Sequence, residues 1–198
     1  RLKNIPQVSQ QRSGQPYTST GLAECLRQGA DRFGWAAARK RAATKSHLKR
    51  GVGVAAGMWG YAGSPSATAI VKLYADGSVN LNSGAADIGT GTKTVFAQVV
   101  AEELGVPVGR VRIEYADTAT TQYAPGSGGS QTVLVNTPAV RAAAAAVKAE
   151  LLALAAEELK QDVTRLSVRD GSIEIAGEGR KVPFSALRSL AQRQQLVG

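Results

Sequence analysis

Two glycine-rich segments contain most of the residues that could bind a ligand. The first is Gly84-Ala-Ala-Asp-Ile-Gly-Thr-Gly-Thr-Lys-Thr94, and the second is Pro125-Gly-Ser-Gly-Gly-Ser-Gln-Thr132. Each precedes a helical pattern, so backbone N–H groups and the positive end of a helix dipole would lie beside hydroxyl side chains. This combination favours an anion such as a phosphate. The structural alternatives are a helix start capped by Thr90 or Thr92, and a flexible loop before the second helix.

Neither segment matches a familiar nucleotide-binding motif. The phosphate loop of nucleoside triphosphatases requires a lysine after its second glycine, and Thr90 stands there in the spacing that begins at Gly84. The dinucleotide fingerprint fails at residues 51–56, where alanine replaces the third glycine and a strand pattern follows. Nucleotide binding of these two kinds is therefore excluded.

The chain has one cysteine, Cys25, and one histidine, His47. A single cysteine excludes an internal disulfide, and the two residues together are too few for a tetrahedral metal site. A Cys-His catalytic pair is arithmetically possible, but Cys25 lies in an apolar helical pattern, where a buried thiol is the usual case. We therefore predict no catalytic and no metal-binding residue in the chain.

The formal charge of +9 is confined to one region. Residues 1–50 contain eleven Lys and Arg against two acidic residues, whereas residues 51–198 contain thirteen of each. A basic excess favours a polyanionic partner, so a nucleic-acid-binding module is the alternative hypothesis. Its phosphate contacts would come from the basic segment 39–50, through Arg39, Lys40, Arg41, Lys45, His47, Lys49 and Arg50.

The amino-terminal part of the chain contains segments that predict different kinds of structure. Residues 1–20 are polar and predict a linker or arm, followed by a helix that Ser19 or Thr20 would cap and that would end at Gly34-Trp35. Residues 36–50 are equally consistent with a cationic helix and an exposed loop. One long uncharged stretch, residues 51–71, contains several glycines and predicts strand and loop rather than a membrane span.

Strands and helices alternate in the remainder. We expect strands over 52–59, 69–74, 79–82 and 111–115, and a hairpin over 166–175; Asp76-Gly77 and Asp170-Gly171 supply the turns. Helices are expected over 92–104 and 138–160 and from residue 182 onward, with a long loop over 116–132. This alternation predicts an α/β (α+β) fold, a mixed sheet packed with helices in two layers.

An ordered series of short motifs resembles one enzyme family. The series is Asp87-Ile-Gly-Thr-Gly-Thr, then Gln98, Ala101-Glu-Glu-Leu-Gly-Val-Pro107, Ala116-Asp-Thr118 and Gly126-Ser-Gly-Gly-Ser130. It resembles the molybdenum-binding large subunit of the xanthine dehydrogenase and aldehyde oxidase family, over residues 20–190. The resemblance implies that residues 21–198 are part of the second molybdopterin-binding domain of a longer chain.

The resemblance also implies a cofactor and its ligands. Family members carry molybdenum on molybdopterin, in bacteria often as its cytosine dinucleotide, and hydroxylate an aldehyde or N-heterocycle with oxygen from water. Iron-sulphur (2Fe-2S) and flavin (FAD) domains or subunits accept the electrons. The positions that match the family's cofactor loops are Ile88, Gly89, Thr90, Gly91, Thr92, Ser127, Gly128, Gly129, Ser130 and Thr132.

Two features of the family have no counterpart here. They are a Phe-Gly-Gly loop with an arginine near the substrate, and a catalytic glutamate in a Gly-Glu segment; Gly177-Glu178-Gly179 comes too early in the chain for the latter. We therefore expect a fragment that alone neither turns over a small-molecule substrate nor holds molybdopterin tightly. Its partners would be the rest of the molybdenum subunit and the iron-sulphur and flavin subunits. The expected compartment is the cytoplasm, with the periplasm as the alternative.

Overall fold

The computed structural model describes residues 1–6, 8, 16–17, 19–42, 47–57, 60 and 67–198. The chain forms two compact units, Arg1–Gly60 and Tyr61–Gly198. The predicted division into an arm over 1–20 and a domain over 21–198 stays a prediction.

The first unit contains two consecutive helices, α1 (Leu22–Phe33) and α2 (Trp35–Ala42). Gly34 separates them in the left-handed conformation, with φ of 66°, and its N–H donates to carbonyls of the last turn of α1. The predicted cap by Ser19 or Thr20 is wrong, because Gly21 is the N-cap and no side chain caps this helix. Residues 36–50 combine the two alternatives, since α2 ends at Ala42 and residues 47–50 lie outside any helix.

The side chains of α1 are more exposed than the apolar pattern predicts. No residue of the helix is buried; Phe33 is 58% exposed, and the thiol of Cys25 is exposed as well. The prediction of a buried thiol is therefore wrong. The predicted strand over 52–59 is also wrong for residues 52–57, which form no strand, and residues 58–59 lie outside the described part. Three glycines within residues 51–57 weaken strand formation there.

The second unit is built on a four-stranded mixed sheet. Strands β1 (Ala69–Tyr74) and β2 (Val79–Ser83) form the predicted hairpin, and β3 (Val111–Tyr115) pairs with β2 in parallel. The turn between β1 and β2 forms because Asp76 Oδ1 accepts hydrogen bonds from the N–H and hydroxyl of Ser78. The parallel register runs from Val79 beside Val111 to Ser83 beside Tyr115.

Two helices cover the sheet. Helix α3 (Thr92–Leu104) connects β2 to β3 with the predicted bounds, and α4 (Thr132–Leu159) follows β3. The core between these layers is apolar, and each fully buried Val, Leu or Phe contributes about 1.5–3 kcal/mol. Its members include Val71, Leu73, Leu81, Phe96, Val100, Leu104, Val140, Val147 and Leu151.

Helix α4 begins six residues before its predicted start. Proline is favoured at the first position of a helix, so the sequence predicted a start at Pro138. In the structure Pro138 lies inside α4, which already begins at Thr132, directly after the second glycine segment. The consequence is that the second glycine segment leads straight into the helix that packs on α3.

A three-stranded antiparallel sheet and a short return complete this unit. Strands β4 (Leu166–Arg169), β5 (Ser172–Ile175) and β6 (Lys181–Pro183) contain the predicted hairpin. Helix α5 (Arg188–Arg193) and strand β7 (Gln195–Val197) follow, and β7 pairs antiparallel with β1. The prediction of one helix from residue 182 onward is therefore wrong at residues 182–183 and 195–197. These residues form strands because they pair with β5 and β1.

The two-layer mixed α/β class predicted from the sequence is confirmed. Within the described residues, no helix is both long enough and apolar enough to cross a membrane.

Candidate functional site

The two glycine segments leave the sheet at the same edge. Because β2 and β3 are parallel and Ser83 pairs with Tyr115, both strands end side by side. Residues 84–91, here called the first loop, follow β2 and lead into α3. Residues 116–131, called the second loop, follow β3 and lead into α4. Loops beyond the carboxyl ends of neighbouring parallel strands are the usual place for ligands in α/β sheets.

Direct contacts join the two loops. The hydroxyl of Ser127 donates to the carbonyl oxygen of Ala86 at 2.5 Å. A Cβ added at Gly84 would lie 1.9 Å from the carbonyl oxygen of Gln122, so only glycine permits this approach. The structure therefore brings the two predicted groups of site residues into one connected surface.

The carboxylate of Asp87 organises the first loop. Its Oδ1 accepts hydrogen bonds from the N–H groups of Gly89 at 2.9 Å, Thr90 at 3.1 Å and Gly91 at 3.2 Å. Its Oδ2 accepts from the N–H of Lys93 at 3.2 Å. These bonds hold the pKa of the Asp87 carboxyl below its usual value, with the N–H of Lys93 as the largest cause. The backbone amides expected to face an anionic ligand thus already face an internal one.

The hydroxyls of the first loop are arranged differently from a helix cap. Gly91, at φ of 78°, is the N-cap of α3 and makes no side-chain cap bond, so the predicted cap by Thr90 or Thr92 is wrong. The N–H of Lys93 in the first turn of α3 donates to Asp87 Oδ2. Instead Thr90 Oγ1 and Thr92 Oγ1 lie 3.1 Å apart, within hydrogen-bonding distance. Ile88 extends from the loop and is 67% exposed.

The second loop has a strained backbone before α4. Gly129 and Ser130 both have positive φ, 58° and 56°, and serine rarely adopts this conformation. Gly128 has an ordinary φ and is exposed, and a Cβ built there would meet no atom within 4 Å. Thr132 is the first residue of α4, and the side chain of Gln131 donates to the carbonyl of Gly126. The loop therefore presents hydroxyls and open backbone beside the first turn of a helix.

Lys93 and Tyr115 form a contact that the sequence did not predict. The ammonium of Lys93 donates to Tyr115 Oη at 2.9 Å and lies 4.2 Å from the centroid of the same ring. The hydrogen bond to Tyr115 raises the pKa of Lys93. A lysine in the first turn of a helix has no distinctive sequence signal, whereas an aspartate two residues before Gly-x-Gly, as at Asp87, suggests a turn-forming side chain.

Two buried side chains near the loops have unpaired acceptors. Asn82, on the last part of β2, donates to Glu114 Oε2 and to the carbonyl of Thr120, but its Oδ1 has no partner. Asn136, in α4, is 1% exposed, and its Oδ1 is also unpaired while its amide nitrogen donates to the carbonyl of Thr132. Unpaired buried acceptors are rare in proteins, and they suit a ligand with N–H donors.

Other predicted candidates lie elsewhere. Glu178 forms an exposed ion pair with Arg165 at 3.2 Å, at the end of the β5 hairpin rather than near the loops. Arg39, Lys40 and Arg41 belong to α2, and Lys45 lies outside the described residues. Among the residues that the structure describes, no three His, Cys, Asp or Glu side chains form a group that could hold a metal ion.

A family model described as the molybdopterin cofactor-binding domain matches residues 28–198. The chain belongs to this family, the molybdenum-binding subunits of the xanthine dehydrogenase and aldehyde oxidase type, as the motif series predicted. Two curated relatives from Escherichia coli K12 support this family assignment. The putative xanthine dehydrogenase molybdenum-binding subunit XdhA is 38% identical over 186 residues, 90% of this chain. The aldehyde oxidoreductase molybdenum-binding subunit PaoC is 37% identical over 148 residues, 72% of this chain.

The matched regions are small parts of these relatives. The chain covers 24% of XdhA and 20% of PaoC, about a quarter or less of their length. Among solved structures, CO dehydrogenase from Oligotropha carboxidovorans aligns with a TM-score of 0.58 at 25% identity, over 66% of this chain and 17% of its own. Quinoline 2-oxidoreductase from Pseudomonas putida 86 aligns with a TM-score of 0.63 at 18% identity, over 99% of this chain and 28% of its own. These likenesses support the fold, and none favours the nucleic-acid alternative.

Proposed function

We propose that the two loops form one side of a molybdopterin site in a longer molybdenum hydroxylase subunit. The observation that carries this proposal is the pairing of two glycine and hydroxyl loops at the ends of parallel strands β2 and β3, joined by the bond from Ser127 to Ala86. The match to a molybdopterin cofactor-binding domain supports it. The ligand residues we propose are Ile88, Gly89, Thr90, Gly91, Thr92, Ser127, Gly128, Gly129, Ser130 and Thr132.

The residues at the site fit the chemistry of a pterin with a phosphate tail. Glycines at 89, 91, 128 and 129 let the backbone approach a flat ligand closely, since no Cβ intervenes. Hydroxyls at 90, 130 and 132 can donate to phosphate oxygens or accept from pterin N–H groups, and the hydroxyl of Ser127, which donates to Ala86, can still accept. The unpaired Oδ1 atoms of Asn82 and Asn136 add acceptor capacity in the same part of the unit.

In the whole protein, molybdenum on the pterin would supply the redox chemistry that adds water-derived oxygen to an aldehyde or N-heterocycle. The residues of this chain would bind and orient the cofactor. We assign none of them a catalytic role.

Electrons would pass to 2Fe-2S and FAD groups on partner domains or subunits, and the cofactor could be the cytosine dinucleotide form. The cytoplasm is the proposed compartment, and the periplasm the alternative. The names of the curated relatives, a xanthine dehydrogenase and an aldehyde oxidoreductase, support this activity class.

Cofactor analysis of two proteins tests the proposal. The full-length protein that contains this chain should hold close to one molybdenum and one molybdopterin per polypeptide, measured by elemental analysis and by fluorescence of the released, oxidised pterin. Residues 1–198 alone should hold neither in stoichiometric amount and should oxidise no aldehyde. A full-length protein without pterin would contradict the proposed function. If residues 1–198 alone hold molybdopterin or oxidise an aldehyde, only the expectation that this chain is part of a larger site is wrong.

A further inference from the structure

Lys93 is the only basic residue of the site segments. No other Lys or Arg occurs between residues 83 and 109, and none occurs between residues 113 and 140. Both loops, and the first turns of the helices that follow them, therefore depend on one side chain for positive charge. Lys93 belongs to the first turn of α3, and Tyr115, which it contacts, is the last residue of β3.

Asp87 makes this single cation more important. The amides of Gly89, Thr90, Gly91 and Lys93 already donate to its carboxylate, so a phosphate there would have to displace a covalently attached anion. The carboxylate also adds a negative charge to the first loop, which repels phosphate oxygens at short range. Backbone amides of the first loop therefore cannot be the main contact for a polyanionic tail.

We propose that Lys93 is the phosphate-contacting residue of this site, that Tyr115 is its positioning residue, and that Asp87 keeps phosphate oxygens away from the amides of the first loop. This inference rests on the proposed function, because it names the group that binds the anionic part of that cofactor. In this proposal a side chain binds the negatively charged phosphate, and the glycines allow the cofactor to approach the backbone closely.

The contact with Tyr115 explains how a flexible side chain can serve this purpose. A free lysine loses rotamer entropy when it binds a ligand, which weakens binding. The hydrogen bond at 2.9 Å and the ring contact at 4.2 Å already restrict the ammonium to the strand-end edge where the two loops lie. An ammonium has three donors, so the bond to Tyr115 leaves two for phosphate oxygens.

Inorganic pyrophosphate is a suitable probe, because it mimics the anionic part of the cofactor without the pterin. The full-length protein would be produced in cells that cannot make molybdopterin, and pyrophosphate binding would be measured by calorimetry. Variants Lys93→Met and Lys93→Arg separate side-chain bulk from charge, and Tyr115→Phe removes only the hydroxyl. Lys72→Met is the matched control, because Lys72 is a half-buried lysine of β1 outside both loops.

The proposal expects Lys93→Met to weaken pyrophosphate binding about tenfold or more, as loss of a charge-assisted hydrogen bond does. Lys93→Arg and Lys72→Met should stay within about threefold of the wild type, and Tyr115→Phe should fall between. Raising the ionic strength should weaken wild-type binding more than binding by Lys93→Met. Thermal midpoints of all variants should remain similar, because Lys93 is not part of the core.

Three results would overturn the proposal: no pyrophosphate binding by the wild type, binding by Lys93→Met within threefold of the wild type, or an equal loss in Lys72→Met. The molybdopterin content of the normally produced wild type is measured in parallel. If that content is stoichiometric while Lys93→Met binds pyrophosphate normally, only the role of Lys93 fails. If the wild type carries no molybdopterin, the proposed function itself fails.

Discussion

The first loop owes its shape to a single carboxylate. Asp87 replaces the external anion that a glycine-rich helix start usually attracts, and its four hydrogen bonds fix residues 88–93 before any ligand arrives. The sequence predicted that these residues form a glycine-rich loop before a helix, but it did not predict this bond pattern. The spacing of glycines and hydroxyls is visible in the sequence, whereas the direction in which one aspartate side chain turns depends on the folded backbone.

Replacing Asp87 with asparagine should reduce stability in a pH-dependent way. Because the folded-state pKa of Asp87 is lowered, its stabilisation is present above the unfolded-state pKa of about 3.9 and is lost as the pH falls through the lower, folded value. The difference in free energy of unfolding between wild type and Asp87→Asn should therefore be constant above about pH 5 and should shrink below about pH 4. Urea denaturation from pH 7 to pH 2.5 measures it.

Asp170→Asn is the matched control, because Asp170 lies in the turn between β4 and β5 and its carboxylate accepts no hydrogen bond among the described residues. This variant should not reproduce the pH dependence expected for Asp87→Asn. A difference for Asp87→Asn that persists unchanged to pH 2.5 would show that the carboxylate charge does not stabilise the loop.

At the scale of elements, the sequence predicted the helices and strands that are defined by residue patterns within their own segment. The hairpin of β1 and β2, helix α3 and strand β3 have clear periodicity and turn residues, and their predicted bounds agree with the structure to within a residue. The start of α4 was missed because Pro138 is a strong local signal that packing of the helix on α3 overrides. Strand β7 was missed because three residues have no periodicity, and only pairing with β1 defines them.

Because the two loops are in contact at Gly84, we predict that this position does not tolerate a side chain. Its φ is ordinary, so alanine would fit the local backbone, but the new Cβ would lie 1.9 Å from the carbonyl oxygen of Gln122. One loop must then shift, and we expect Gly84→Ala to destabilise the protein by about 3 kcal/mol, as overpacking against backbone does. Gly109→Ala, where nothing lies within 4 Å of an added Cβ, should stay within about 0.5 kcal/mol of the wild type. Thermal unfolding measures both, and equal midpoints for the two variants would show that the loops do not touch as described.

At the scale of the whole molecule, the excess positive charge and the proposed cofactor site lie in different parts of the chain. The unit Tyr61–Gly198 contains both loops and equal numbers of basic and acidic residues, while the entire excess of +9 belongs to residues 1–50. Composition alone therefore suggested a polyanionic partner for a region outside the loops. The α/β class was predictable because alternating strands and helices allow few packings. The family was identified from the order of the motifs along the chain. Physical rules about local structure do not predict that order.

The most direct test of the account is a steric block of the proposed site. Gly128 has an ordinary φ and open space around it, so Gly128→Leu should fold normally and place a bulky side chain on the second loop. Gly109→Leu is the matched control, because Gly109 is equally open and lies two residues before β3, at the edge of the sheet opposite the loops. Both would be made in the full-length protein.

The measurement is molybdopterin per polypeptide, with circular dichroism and the thermal midpoint as checks that both variants fold. We predict that Gly109→Leu holds as much cofactor as the wild type and that Gly128→Leu holds less than about a tenth of it, since a side chain in the cradle removes the space for the ligand. A correctly folded Gly128→Leu protein with the wild-type amount of molybdopterin would contradict the claim that these loops hold the cofactor.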